Sequence, residues 1–181
     1  MALAPPDTPL SDGEVGLRPW TDADVPAITA ACRDPEIPRW TQVPSPYNED
    51  DARAFVMQAR KDWAEGARAQ FAIVDARSGA VLGSIGLVGI EWPVGEVGYW
   101  VAREARRRGV ATRATRLLAR WALLERGFAR LQLVADPENT GSLRVAEHAG
   151  FQREGVLRAG LENKGRRTDC VMFSLLPGDL A

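Results

Sequence analysis

The sequence predicts a mixed α/β fold, one mostly antiparallel sheet of about seven strands flanked by about four helices. Three observations carry this. Apolar residues recur at helical spacing in two N-terminal stretches, the middle of the chain switches to β-rich runs, and a strongly amphipathic helix then leads into an alternation of strand, helix and two strands. No repeat, linker or low-complexity segment divides the chain, so residues 14–181 read as one domain behind a disordered leader, MALAPPDTPLSDG, at 1–13.

Residues 14–18 read as the first strand. Thr21 is a candidate N-cap for a helix carrying Val25 and Ile28, and the proline-rich stretch RDPEIPRWTQVPSPY that follows reads as irregular. A second helix is expected from about Glu49 to Glu65, with Phe55, Val56, Ala59 and Trp63 on one stripe and Gly66 just past its end. FAIVDA and VLGSIGLV are strands joined by the turn Arg77-Ser78-Gly79, and EVGYWVA at 96–102 is a fourth strand. The third helix places Ala114, Leu117, Leu118, Trp121 and Leu124 inward, Arg113, Arg116 and Arg120 outward, and Gly127 at its end. LQLVA is the fifth strand, SLRVAEHAG a short helix ending at Gly150, and strands at 152–157 and 170–175 complete the set.

Composition narrows the function. The 23 basic and 24 acidic residues nearly cancel, so no overall field draws the chain to nucleic acid or to a membrane. All basic residues except Lys61 and Lys164 are arginines, so clusters of arginine arise from composition alone. Cys32 and Cys170 form no metal or disulfide pattern, and no apolar run reaches membrane length, which makes a soluble cytoplasmic protein without a bound metal the expectation. Gly83, Gly86 and Gly89 fall inside a strand pattern with no helix after them, the signature of a bulged strand rather than a nucleotide loop. His148, the single histidine, has no nucleophile elbow to serve and reads as a surface or helix-packing residue.

The stretch REARRRGVATRA at 103–114 stands apart because of its position, between a strand and the start of an amphipathic helix. Unpaired N–H groups and the positive end of the helix dipole meet there and favour an anion. Gly109 permits the turn, and Ala111 permits close backbone approach to phosphate. R-R-R-G-V-A after a strand resembles the Q/R-x-x-G-x-G/A pyrophosphate loop of the GNAT (Gcn5-related N-acetyltransferase) superfamily. The segment LQLVADPENTGSLRVAEHAGFQREG extends the resemblance, and E-V-G-Y-W-V with N-x-x-S and G-F-x-x-E-G is similar to the branch typified by RimJ and RimL.

The resemblance implies a GNAT fold splayed between the fourth and fifth strands, and acetyl-CoA as donor. Its pyrophosphate would lie on the loop Arg106, Arg107, Arg108, Gly109, Val110, Ala111 and Thr112, where Arg106 marks the motif and the N–H groups from Arg107 to Thr112 bind. Its pantetheine arm would run along the backbone at Trp100 and Val101, with Asn139 hydrogen-bonded to it. Ser142 matches a proton donor to the leaving thiolate, or caps its helix. Glu96 matches a fourth-strand base, or is a structural carboxylate. The tyrosine acid of many relatives falls at Ala146, and the carboxylate of the RimL type falls at Leu161, one residue from Glu162. Trp40 and Tyr47 lie where family members shape the acceptor pocket, with Trp40 alternatively a loop anchor. The implied partner is an amine, a peptide N-terminus or a small molecule, acetylated by direct attack. The alternatives are a CoA-binding module without catalysis and, for the assembly, a monomer or a homodimer.

Overall fold

A computed structural model describes residues 3–180. Its eight strands are β1 (Leu10–Ser11), β2 (Val15–Pro19), β3 (Ala69–Asp75), β4 (Val81–Glu91), β5 (Val94–Val101), β6 (Arg130–Ala135), β7 (Gln152–Asn163) and β8 (Arg166–Leu175). The helices are α1 (Val25–Cys32), α2 (Glu36–Trp40), α3 (Glu49–Glu65), α4 (Val110–Arg120) and α5 (Thr140–His148). The sheet runs β1-β2-β3-β4-β5-β6-β8-β7, antiparallel at every junction except β5–β6, which is parallel.

Alternation along β3 sorts the core. Phe71 and Ile73 join a cluster with Leu118 of α4 and Trp121 just past its end, whereas Ala72 and Val74 join a second with α1 and α3 (Ile28, Val56, Ala59). Phe71, Trp63 and Trp121 meet edge to face with ring centroids 5.1–5.9 Å apart. The second helix, α3, has the expected bounds because both ends are chemically specified. Asn48 Oδ1 accepts from Asp50 and Asp51 N–H, Asp51 accepts from Asn48 N–H in return, and Gly66 closes the helix at φ +66°. Thr21 caps a short 3-10 turn before α1. There the buried Asp24 accepts two hydrogen bonds of 2.8 Å from Arg18, and these, with bonds from Thr21, hold its carboxyl below the usual range although burial raises it.

Several expectations need correction. The leader is not separate from the fold: Leu10 pairs with Leu17, Leu3 is buried in the core, and the Ala4 carbonyl accepts from Arg126 (2.7 Å); its residues 1–2, like residue 181, lie outside the described residues. The proline-rich stretch contains α2, which tolerates Pro38 because a first-turn N–H has no intrahelical partner. Leu124 is 54% exposed, because α4 runs into a π-turn over Trp121–Glu125 in which Arg126 N–H donates to the Trp121 carbonyl. The extra residue rotates the stripe, so Leu123 takes the inward place. The last two strands extend to a hairpin closed by Lys164 and Gly165, both at positive φ.

Gly83 and Gly86 lie within β4, and the register shift between Leu87 and Gly89 supplies the expected bulge. A Cβ on Gly83 would stand 2.3 Å from the Trp100 carbonyl oxygen, and one on Gly86 2.2 Å from that of Ala69. Gly83→Ala is therefore expected to destabilise the fold by about 2 kcal/mol, a fall in Tm of roughly 4–8 °C by differential scanning calorimetry, while Gly79→Ala, in open space, costs less. At the far side of the sheet Arg130 forks onto Glu154 (2.7 and 2.6 Å) and Ser174 Oγ donates to it (2.7 Å), so Arg130 first and Ser174 second push the Glu154 carboxyl from 4.5 down to about 2. A lowered folded value means that this stabilisation is complete above pH 4.5 and is lost as pH falls through about 2. Acid titration of Tm should show that loss in the parent and a shallower one in Glu154→Gln.

Candidate active site: a forked sheet and an anion cradle

β5 and β6 pair over three rungs only, Val94–Arg130, Gly95–Leu131 and Glu96–Gln132, and then diverge. These two strands are the fourth and fifth of the expected series, shifted by one because β1 precedes them. The fork leaves alternate backbone N–H and C=O groups facing a gap, on β5 those of Val97, Tyr99 and Val101, where an extended amide chain can pair with them. Trp100 does not face the gap: its main chain is turned to Ser84 on β4 and its ring is buried against Trp20, with centroids 6.3 Å apart. The Val101 carbonyl already accepts from Arg106 Nε at 3.0 Å.

The fork opens toward the cradle. Arg107 and Gly109 both have positive φ, +59° and +74°, which curls the main chain before α4. Intrahelical bonding starts with Arg113 N–H donating to the Gly109 carbonyl, 3.0 Å, so the N–H groups ahead of it are free at the dipole's positive end. No atom lies within 4 Å of a Cβ placed on Gly109, leaving space above the loop. Arg107 and Arg108 are exposed, Ala111 and Thr112 half-buried, and Val110 anchors the turn in the core. Arg106 is held by the Val101 carbonyl and by Asp34 (2.7 Å), so its role is to brace the loop. Arg113 is exposed and pairs with Asp12, and Arg116 reaches the His148 carbonyl. A concave row of N–H groups beside a strand gap fits a pyrophosphate on an amide-bearing arm.

Side chains at the fork divide by face. Glu96 lines an open cavity of about 520 Å³ with Glu91, Arg130 and Gln132, and its Oε2 accepts from Gln132 Nε2 at 3.2 Å. By alternation Tyr99 lies on the opposite face, the one that α4 covers, packed against the core. Its phenol is hydrogen-bonded to Ser142 Oγ (2.9 Å), and burial pushes it up to about 12, against the lowering effect of that bond. Ser142 lies in the first turn of α5, where Asn139 caps the helix by accepting from Ser142 N–H (3.1 Å). The cap uses Asn139 Oδ1 and leaves its amide NH₂ to donate elsewhere.

The expected acceptor residues separate. Trp40 is half-exposed on α2, with Arg39 4.5 Å over its ring and its Nε1–H donating to Glu36. Tyr47 is instead a core residue with its hydroxyl beside Cys32, whose thiol burial pushes up to about 12, because the chain turns inward before α3. The α2 segment is tied to the β7–β8 turn through main-chain carbonyls: Lys164 to Pro38 (2.6 Å), Asn163 to Arg39 (3.1 Å) and Gln42 to Glu162 (2.8 Å). Glu162 is exposed and pairs with Arg167 at 2.9 Å, Ala146 is buried, and His148 is exposed as expected. Sequence reasoning missed Tyr99 and Gln132. Their signal was present, a phenol among apolar residues on the inward face of EVGYWVA and a polar residue within LQLVA.

A sheet forked beside a helix-borne anion cradle suits a group carried on coenzyme A. The acetyltransferase (GNAT) domain model matches residues 14–152, and the chain belongs to that family. It is 30% identical over 162 residues to the uncharacterized N-acetyltransferase p20 of Bacillus licheniformis, covering 88% of this chain and 90% of the relative. Among solved structures it resembles Mycobacterium smegmatis RimJ in complex with CoA-disulfide (TM-score 0.84, 24% identity, 98% of this chain and 91% of that one). It also resembles the microcin C7 self-immunity acetyltransferase MccE in complex with acetyl-CoA and AMP (TM-score 0.82, 18% identity, 92% and 94% covered). Family membership carries the reaction class, transfer of an acetyl group from acetyl-CoA to an amine nitrogen. Among the described residues no helix is long and apolar enough to cross a membrane, and no cluster of ligating side chains could hold a metal ion.

A main-chain cradle predicts opposite fates for two neighbours. Gly109→Trp, which forces a bulky residue into a left-handed conformation and fills the space above the loop, should weaken CoA binding at least ~30-fold by isothermal titration calorimetry, whereas Arg113→Ala should change it less than ~3-fold.

Proposed function

We propose that the chain acetylates a primary amine, a peptide N-terminus or a small molecule, by direct attack with both substrates bound, Glu96 serving as base and Ser142 as the proton donor to the leaving thiolate. The division of the fork carries this reading: the carboxylate lies on the open face above a cavity, and the serine on the helix-covered face at the open end of the gap. An amine arriving through the cavity meets Glu96 before it reaches the gap. Glu91 and Glu96 favour a cationic acceptor there, while the charge of Arg130 is taken up by Glu154.

Acetyl-CoA, when bound, supplies an activated acetyl carbon. Main-chain N–H groups from Arg107 to Thr112 would hold its phosphates, with Arg106, Arg107 and Arg108 shaping and charging the loop around Gly109, Val110 and Ala111. Tyr99 and Val101 main chain, on either side of Trp100, and the Asn139 amide would hold its arm. Glu96, directly or through a water, takes one proton from the incoming ammonium and so frees the nitrogen lone pair. As the C–N bond forms and the C–S bond breaks, the electron pair passes to sulfur, and Ser142 Oγ–H supplies the proton there. The serine oxygen regains a proton released by the nitrogen. An α-amino group, with a pKa near ~8 against ~10.4 for lysine, asks least of the base, which favours N-terminal acceptors. The reading includes a cytoplasmic enzyme, with neither nucleic acid nor a membrane as partner, acting as a monomer or a homodimer. Trp40, on the α2 wall, is the residue we assign to acceptor contact.

The test is acetyl-CoA turnover, read as free thiol, on a panel of Ser-Ala-Ala peptide, Nα-acetyl-lysine and spermidine. Binding of CoA without turnover on any of them, or on a wider amine set, would favour a non-catalytic module. Glu96→Gln should lower kcat by ~10²-fold with CoA affinity unchanged, and an acceptor amine of low pKa should recover part of the loss.

A further inference from the structure

We infer that Tyr99 is a positioning residue for the transfer step, its O–H donating to Ser142 Oγ and thereby aiming the serine's own proton into the fork. The inference rests on the role given to Ser142 above. A serine hydroxyl in the first turn of a helix is a free rotor that can donate to several neighbours. Asn139 fixes the Ser142 main chain through its N–H but leaves the hydroxyl undirected. The 2.9 Å contact to Tyr99 supplies the missing constraint.

Direction follows from chemistry. A phenol is the stronger acid and the better donor, and an aliphatic hydroxyl oxygen is the better acceptor. Ser142 Oγ therefore receives the phenolic hydrogen and keeps its own for another acceptor. Ser142 is also the one side-chain partner of the Tyr99 hydroxyl among the described residues, so the phenol has no competing bond to make.

Location supports the same role. Tyr99 stands on the β5 arm beyond the last rung with β6, and Ser142 on α5 at the end of the β6 arm. The bond spans the open fork, on the face opposite Glu96. When the serine proton passes to sulfur, the phenol already points at the oxygen that gains negative charge. Tyr99 keeps its own proton, consistent with its raised pKa.

Tyr99→Phe removes one oxygen and preserves the ring, so the fold should persist. With the fastest acceptor of the panel, single-turnover rates at saturating acetyl-CoA are compared for Tyr99→Phe, Ser142→Ala and the double variant. Tyr99→Phe is expected to slow transfer ~10-fold, with the Kd for CoA changed less than ~2-fold and Tm nearly unchanged, and to slow it no further in the Ser142→Ala background. A mere strap across the fork would weaken CoA binding and spare the transfer rate, and that result overturns the proposal. So does an equal loss in both serine backgrounds, which would mean that Tyr99 acts without Ser142. If Ser142→Ala alone transfers at the parent rate, the serine's assigned role is what fails.

Discussion

Everything at the site depends on the brevity of one parallel pairing. Three rungs hold β5 to β6, and beyond Glu96–Gln132 the strands part. The closed end is packed tightly, with a Cβ at Gly95 only 3.2 Å from Leu87, Leu131 and Phe128, so the small residue lets the strands meet there. Past it, unpaired main chain lines a gap that water or another amide must satisfy. The loop after β5 turns directly into α4, which brings the cradle to the mouth of the same gap. Strand alternation then assigns Glu96 to one face and Tyr99 to the other. One broken ladder thus sets where the gap lies and on which of its faces each of these side chains stands.

Four of the arginines brace the frame. Arg18 locks Asp24 at the start of α1, Arg106 ties the cradle to Asp34, Arg113 joins α4 to the β1–β2 turn, and Arg130 fastens β6 to β7. A guanidinium fork suits such roles because it meets a carboxylate in two bonds at once.

The sequence was most legible where local chemistry decides structure. The Asn48 capping box and Gly66 bound α3 without help from the rest of the chain, and the loop around Gly109 declared itself by its place between strand and helix. Elements decided by tertiary contact were not legible. β1 exists because Leu10 finds β2, and the outer halves of β7 and β8, polar and charged, extend because each pairs with the other across the Lys164-Gly165 turn. A 3.6-residue period could not foresee the π-turn that turned Leu124 outward. At the site, Glu96, Ser142 and Asn139 followed from the resemblance, whereas Tyr99 acquires meaning only once α5 folds back across the fork. The resemblance placed Tyr47 at the acceptor pocket, yet the chain dips there to fill the space beside Cys32.

The tie between α2 and the β7–β8 turn has an evolutionary consequence. All three of its bonds end on main-chain carbonyls, those of Pro38, Arg39 and Glu162, which every amino acid provides. Side chains at those three positions can therefore drift without cutting the span. A segment anchored by backbone on one side is free to change its side-chain chemistry while keeping its shape.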